Sequence, residues 1–173
     1  MSKTTKADEG PAGTGPEATV HEGTAQEQRR TEQKDLFQDA LSRMKAAARI
    51  TQTSPEVLER LSRPHYVLEV SIPVRMDDGS LRVFTGYRVR YDVSRGPAKG
   101  GISFSPTLNL GSVASIAMLM SWKCALLNLP FGGAHGGICL DATKLSMGEQ
   151  ERITRRYTSE IITLLGPDKD IPA

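Results

Sequence analysis

Residues 94–141, SRGPAKGGISFSPTLNLGSVASIAMLMSWKCALLNLPFGGAHGGICLD, put a Gly-Pro-x-Lys-Gly-Gly loop, a long apolar stretch and a second glycine cluster into one short span. Within the apolar stretch, Val113, Ile116, Ala117, Met120, Cys124 and Leu127 recur at helical spacing. This predicts a helix over 111–127 that buries those residues, with Asn109 as its cap. Short apolar segments at 102–104 and 138–140 read as strands, and 132–137 reads as a glycine turn leading into the second of them.

Outward from this block the periodicity changes from helical to alternating. Tyr66, Leu68, Val70, Ile72 and Val74 share one face of a strand, and Leu81, Val83, Thr85, Tyr87 and Val89 share one face of a return strand. The turn Asp77-Asp78-Gly79 joins them into an antiparallel hairpin. Arg82, Arg88 and Arg90 fall on the other face of the return strand, which therefore reads as solvated. Leu36, Phe37, Ala40, Leu41, Met44 and Ala48 mark an earlier amphipathic helix, and Ser54-Pro55 opens a short one carrying Val57, Leu58 and Leu61. Ser146 with Glu149 forms a capping box for a last helix with Ile153, Tyr157, Ile161 and Leu164 facing inward, stopped by Gly166-Pro167. Together these predict an α/β fold: a mixed sheet with an antiparallel hairpin and flanking helices.

The 173 residues suit one domain over 34–173 behind a tail over 1–33. That tail is rich in Gly, Pro, Thr, Glu and Gln, has Val20 as its one aliphatic anchor, and is expected to be disordered. Its Gly13-Thr-Gly15-Pro-Glu-Ala18 follows no strand and has Pro16 inside the turn, so it is no dinucleotide fingerprint. The 22 basic and 20 acidic residues are mixed along the chain, leaving no electrostatic footprint for nucleic acid or membrane. No apolar run approaches the ~20 residues of a spanning helix. Nor does an apolar signal segment open the chain, so a cytoplasmic protein is expected. Cys124 and Cys139 lack metal-ligand spacing and read as core thiols in a reducing compartment.

Two lysines draw attention by their surroundings. Lys99 stands beside Gly100 and Gly101, where backbone amides can approach a carboxylate; a surface lysine on a turn is the simpler alternative. Lys123 interrupts a strongly apolar helix, where its ammonium either meets an anion or snorkels to solvent. His135 sits within the second glycine cluster, and Asp170 precedes an Ile-Pro step, a common turn signal.

From about Leu68 to Ala173 these motifs, in order, resemble the substrate and assembly domain of the Glu/Leu/Phe/Val dehydrogenase family. The chain reads Gly86-Tyr-Arg-Val, Arg95-Gly-Pro-Ala-Lys99-Gly-Gly, Trp122-Lys123-Cys-Ala, Pro130-Phe-Gly-Gly-Ala-His135-Gly-Gly and Gly166-Pro-Asp-Lys-Asp170-Ile-Pro-Ala. The family pattern is similar to GYRV, ARGPxKGGxRxxP, WKCA, PxGGAKGG and GPDxDIPA. The resemblance implies that Lys99 pairs with the side-chain carboxylate of glutamate and Lys123 with its α-carboxylate. It also implies that Met120, Gly100 and Gly101 line the pocket and that Asp170 shuttles protons. A lysine at position 99 is similar to the glutamate-specific branch.

The resemblance breaks at two positions. Where the family has its catalytic lysine, this chain has His135, and where an arginine usually follows the glycine pair it has Ser103. An imidazole reaches roughly 2 Å less far than a lysine amine at ~1.5 Å per bond. A misplacement of about 1 Å can cost on the order of 100-fold. The family's cofactors are NAD or NADP, yet no Gly-x-Gly-x-x-Gly follows a strand here. The expectation is that the nucleotide-binding domain is absent and that this chain alone binds no cofactor. Glutamate or 2-oxoglutarate, and homo- or hetero-oligomers with dehydrogenase subunits, are the implied partners. The implied function is a glutamate dehydrogenase-like domain impaired in catalysis; a regulatory or assembly partner of full-length subunits, or a truncated product without a role, are the alternatives.

Overall fold

The hairpin of the sequence reading is the longest feature of the computed structural model, which describes residues 36–173. The tail over 1–33 lies outside the described residues. Strand β1, Tyr66–Arg75, pairs antiparallel with β2, Leu81–Asp92, from Tyr66 opposite Arg90 to Arg75 opposite Leu81. Gly79, at φ 84°, takes the left-handed turn position that a side chain would strain. Before the hairpin come helix α1 over 36–50 and α2, Pro55–Leu61, where the Ser54 hydroxyl accepts from the Val57 amide as expected.

After it follow β3, Ala98–Gly100, β4, Ile102–Ser105, and α3, Leu110–Leu126. Then come β5, Gly132–Cys139, a single 3-10 turn at Ala142–Lys144, α4, Met147–Ile161, and β6, Asp170–Pro172. The strands form one six-stranded mixed sheet in the order β1-β2-β5-β3-β6, with β4 also on β5. Strands β3 and β4 run in succession along the same edge of β5, interrupted at Gly101.

Helix α4 covers one face of the sheet, where Ile153, Tyr157 and Ile161 pack on Ile72, Val74, Phe84 and Ile138. On the other face, α1 and α3 pack Ala40, Leu41, Met44, Val113, Ala117 and Met118 over Val89 and Tyr91. Both cores are closed by the predicted caps. Asn109 accepts from the Ser112 amide, and Ser146 and Glu149 exchange hydrogen bonds across the first turn of α4. Asn128, at φ 53°, ends α3 in the left-handed conformation, and the Leu129 amide returns to the Cys124 carbonyl.

Three expectations are corrected. The glycine segment 132–137 is no turn but most of β5, the strand at the centre of the sheet. Its lack of side chains lets neighbours close in on both faces: a Cβ at Gly133 would strike the α3 backbone at Ala117 and Ser121, and one at Gly136 would strike Arg88 and Tyr157. On β2 the faces are exchanged at the distal end. Leu81 and Val83 are exposed and Phe84 and Arg88 buried, because register places Arg88, Gly86 and Phe84 opposite the apolar Leu68, Val70 and Ile72 of β1, under α4. On α3 the stripe turns toward α1: Met118 is fully buried, Met120 and Ile116 are half-buried, and Leu127 is exposed as the C-cap.

Candidate functional site

Strand geometry assigns each candidate to a face of the sheet, since paired residues on adjacent strands share a face and successive residues alternate. Lys99 lies opposite Gly133 on β5, and Gly133 faces Ala117 and Ser121 of α3. His135, two residues further along β5, is on the same α3-facing side as Lys99. Lys99 is half-buried, and Met120 and Lys123, three residues apart, flank the stripe of α3 that rests on Gly133. Met120 is half-buried and Lys123 exposed. Neither lysine makes an ion pair among the described residues. The fold thus gathers Lys99 and His135 over the centre of the sheet beside the helix that carries Lys123.

His135 is 7 % exposed. Its Nε2 lies 3.0 Å from the Ser103 Oγ. Burial, with the Arg88 charge behind it, pulls the imidazole pKa from 6.5 down to about 4, so the ring is neutral near neutral pH. The two residues at which the chain leaves the family pattern are therefore in contact.

Asp170 lies elsewhere. Register pairs it with Ala98, and so with the α4-facing side, opposite Lys99 and His135. It is fully buried, and both carboxylate oxygens are held by Arg88, one by Nε at 2.9 Å and the other by Nη2. A carboxylate enclosed in this way is anchored, which does not suit the proton shuttle that the resemblance implies. The Arg88 guanidinium, read from sequence as part of a solvated face, also donates to the carbonyls of Gly100 and Gly101. It fills the break between β3 and β4 and ties it to β6. The Tyr157 hydroxyl closes the same region by donating to the Tyr87 carbonyl at 2.7 Å. Hairpin register was the signal for Arg88: counting back from the turn at 77–79 sets it opposite Leu68, on the apolar face.

Packing requires a glycine at position 100, while the Gly101 backbone takes part in the sheet. A Cβ at Gly100 would meet the Ala134 carbonyl, and the Gly101 carbonyl accepts from the Gly136 amide at 3.0 Å. The Gly132 amide likewise donates to the Pro97 carbonyl at 2.9 Å. Among the described residues no Gly-x-Gly-x-x-Gly turn joins a strand to a helix, the arrangement that cradles a dinucleotide pyrophosphate. Among them there is also no cluster of metal-ligating side chains and no helix long and apolar enough to cross a membrane. Cys124 is buried and Cys139 half-buried, both as free thiols.

Fold and side chains define a mixed α/β domain with a lysine and an imidazole held over a glycine-built central strand. Residues 64–173 match the model of the Glu/Leu/Phe/Val dehydrogenase dimerisation domain, and the chain belongs to that family. It is 53% identical over 138 residues to the NADP-specific glutamate dehydrogenase of Synechocystis, covering 80% of this chain and 32% of that one. It is 49% identical over 141 residues to the glutamate dehydrogenase of Thermotoga maritima, covering 82% and 34%. Among solved structures it superposes on the glutamate dehydrogenase of Peptoniphilus asaccharolyticus with a TM-score of 0.78 at 38% identity, covering 79% and 34%. On the hetero-hexameric glutamate dehydrogenase of Thermus thermophilus, in its Leu-bound form, the TM-score is 0.74 at 44% identity, covering 82% and 34%. The chain spans about a third of the length of these relatives.

Proposed function

We propose that this chain is a glutamate dehydrogenase-type substrate and assembly domain that binds dicarboxylates such as glutamate and 2-oxoglutarate but is impaired in the amine-dependent step of oxidative deamination. The observation that carries this reading is His135: buried, neutral and hydrogen-bonded to Ser103 on the Lys99 face of the sheet. An amine there would activate water and stabilise a developing carbinolamine. A shorter, uncharged ring bound to a hydroxyl lacks both the reach and the charge. Lys99 and Lys123 remain as cations for the two carboxylates. Arg88 and Asp170 act as structural support for Gly100 and Gly101. Any hydride chemistry needs a nicotinamide nucleotide, as the names of the NADP- and NAD-specific relatives indicate.

Calorimetric titration with 2-oxoglutarate tests the reading. A charge-assisted contact is worth about 1.5–3 kcal/mol, so Lys99→Ala is expected to weaken binding about tenfold to a hundredfold. Equal affinity in wild type and Lys99→Ala refutes the pocket. In a dehydrogenase assay the purified chain is expected to reduce no NAD or NADP with glutamate. Robust turnover by the unmodified chain refutes the impairment.

A second reading, a non-catalytic partner that docks on full-length dehydrogenase subunits, is favoured by one observation. The hairpin leaves Leu81 and Val83 exposed beside the long edge strand β1. Co-purification with a full-length homologue supports it, and failure to associate at micromolar concentration removes it.

A further inference from the structure

Ser103 and His135 reach each other from neighbouring parallel strands. Ser103 on β4 lies opposite Gly137 on β5, two residues beyond His135 and on the same face, which brings Oγ to 3.0 Å from Nε2. The other ring nitrogen, Nδ1, has no hydrogen-bond partner among the described residues and is not sealed from solvent. Gly101 stands at the Cε1 edge of the ring, where an added Cβ would be in ordinary contact, 3.8 Å from His135 Cε1 and 3.7 Å from the Ala173 carbonyl oxygen. Val89 lies across β2 from His135, and Lys99 lies on the same face beyond Gly133.

A serine hydroxyl both donates and accepts, and a neutral imidazole is a donor at one nitrogen and an acceptor at the other. When the Ser103 hydroxyl donates to Nε2, the proton resides on Nδ1, which then donates. When Nε2–H donates to the hydroxyl, Nδ1 carries a lone pair and accepts. Net charge is unchanged in the exchange: one ring nitrogen releases its proton to solvent, the other takes one up from solvent, and the hydroxyl rotates to match. A protonated lysine and an arginine at the same two positions offer donors alone.

We propose that Ser103 and His135 form one reversible hydrogen-bonding unit that recognises the 2-substituent of a bound dicarboxylate in either form. Nδ1–H is presented to the carbonyl oxygen of a 2-oxo acid, and the Nδ1 lone pair to the ammonium of the 2-amino acid. Ser103 is the positioning residue, acting through the ring. The inference rests on the dicarboxylate pocket proposed above and deepens it: the site distinguishes oxo from amino acid by tautomer rather than by covalent chemistry. The neutrality of the ring, imposed by burial and by Arg88, keeps both tautomers accessible near neutral pH.

Nitrogen-15 spectra of the imidazoles of the full chain test the unit, with Ser103→Ala removing the hydroxyl and Ser103→Thr retaining it. In the absence of ligand, Ser103→Ala is expected to change the balance of the His135 nitrogen shifts and Ser103→Thr to restore it. Unchanged shifts in Ser103→Ala overturn the unit. Saturation with 2-oxoglutarate and with glutamate is expected to drive the wild-type ring toward opposite tautomers. Ser103→Ala should bind both acids about threefold to tenfold more weakly, as expected for one net hydrogen bond. Binding of both acids with identical nitrogen shifts overturns the recognition and leaves the pocket standing. Failure of wild type to bind either acid overturns both.

Discussion

An imidazole buried beside an arginine resists protonation, and both conditions hold at His135. Its folded pKa of about 4 lies below the ordinary 6.5, so across that window the unfolded chain takes up a proton that the folded chain does not. Stability is then fully present above about pH 6.5 and falls as pH decreases toward 4. Urea unfolding at about pH 7 and about pH 5 should show the loss in wild type and a smaller one in His135→Gln. Arg88 gives the larger single effect. Arg88→Met leaves the Asp170 carboxylate buried without its partner, and breaking such a pair costs about 3–5 kcal/mol, to be read as a lower urea midpoint. At this scale Lys99 and His135 were singled out by glycine surroundings and by the family motifs, both of which are local in the chain. The pairing of Arg88 with Asp170 was not legible, because the two lie 82 residues apart.

Elements followed their local signals where those signals were caps and turns. Ser54, Asn109, Ser146 and Gly79 all take the positions expected of them, since a cap or turn is settled within a few residues. Strand β5 defied its composition: its glycines belong to a strand because α3 on one side and Arg88 with Tyr157 on the other leave no space for side chains. Gly133→Ala is expected to push α3 off the sheet and cost about 1–3 kcal/mol or more in a thermal or urea melt. Gly148, by contrast, lies in the first turn of α4, where an added Cβ would meet the flexible end of Arg152 at 3.4 Å and the Ser146 Oγ at 3.9 Å. Gly148→Ala should stabilise by about 0.4–1 kcal/mol, visible as a raised melting temperature.

At the scale of the molecule, β1 ends the sheet with its outer edge unpaired among the described residues, and the adjoining hairpin face carries Leu81 at 64 % and Val83 at 63 % exposure. A long, partly apolar edge strand invites pairing with another chain. In a chain whose family model is a dimerisation domain, concentration-dependent self-association is the expected outcome. Sedimentation velocity should show a species larger than the monomer that Val83→Lys shifts toward the monomer. A wild-type chain that remains monomeric throughout contradicts this.

The amino-acid sequence by itself determined the class of fold, the hairpin, the caps and the family. Each of these rests on periodicity or on motifs a few residues long. Only the tertiary structure decided that the glycine cluster is the central strand and that Arg88 and Asp170 form a buried pair. It alone set Asp170 on the opposite face from His135 and brought Ser103 to that ring. Those facts depend on strand order and register, which join residues distant in the chain, and a one-residue change of register moves a side chain through the sheet.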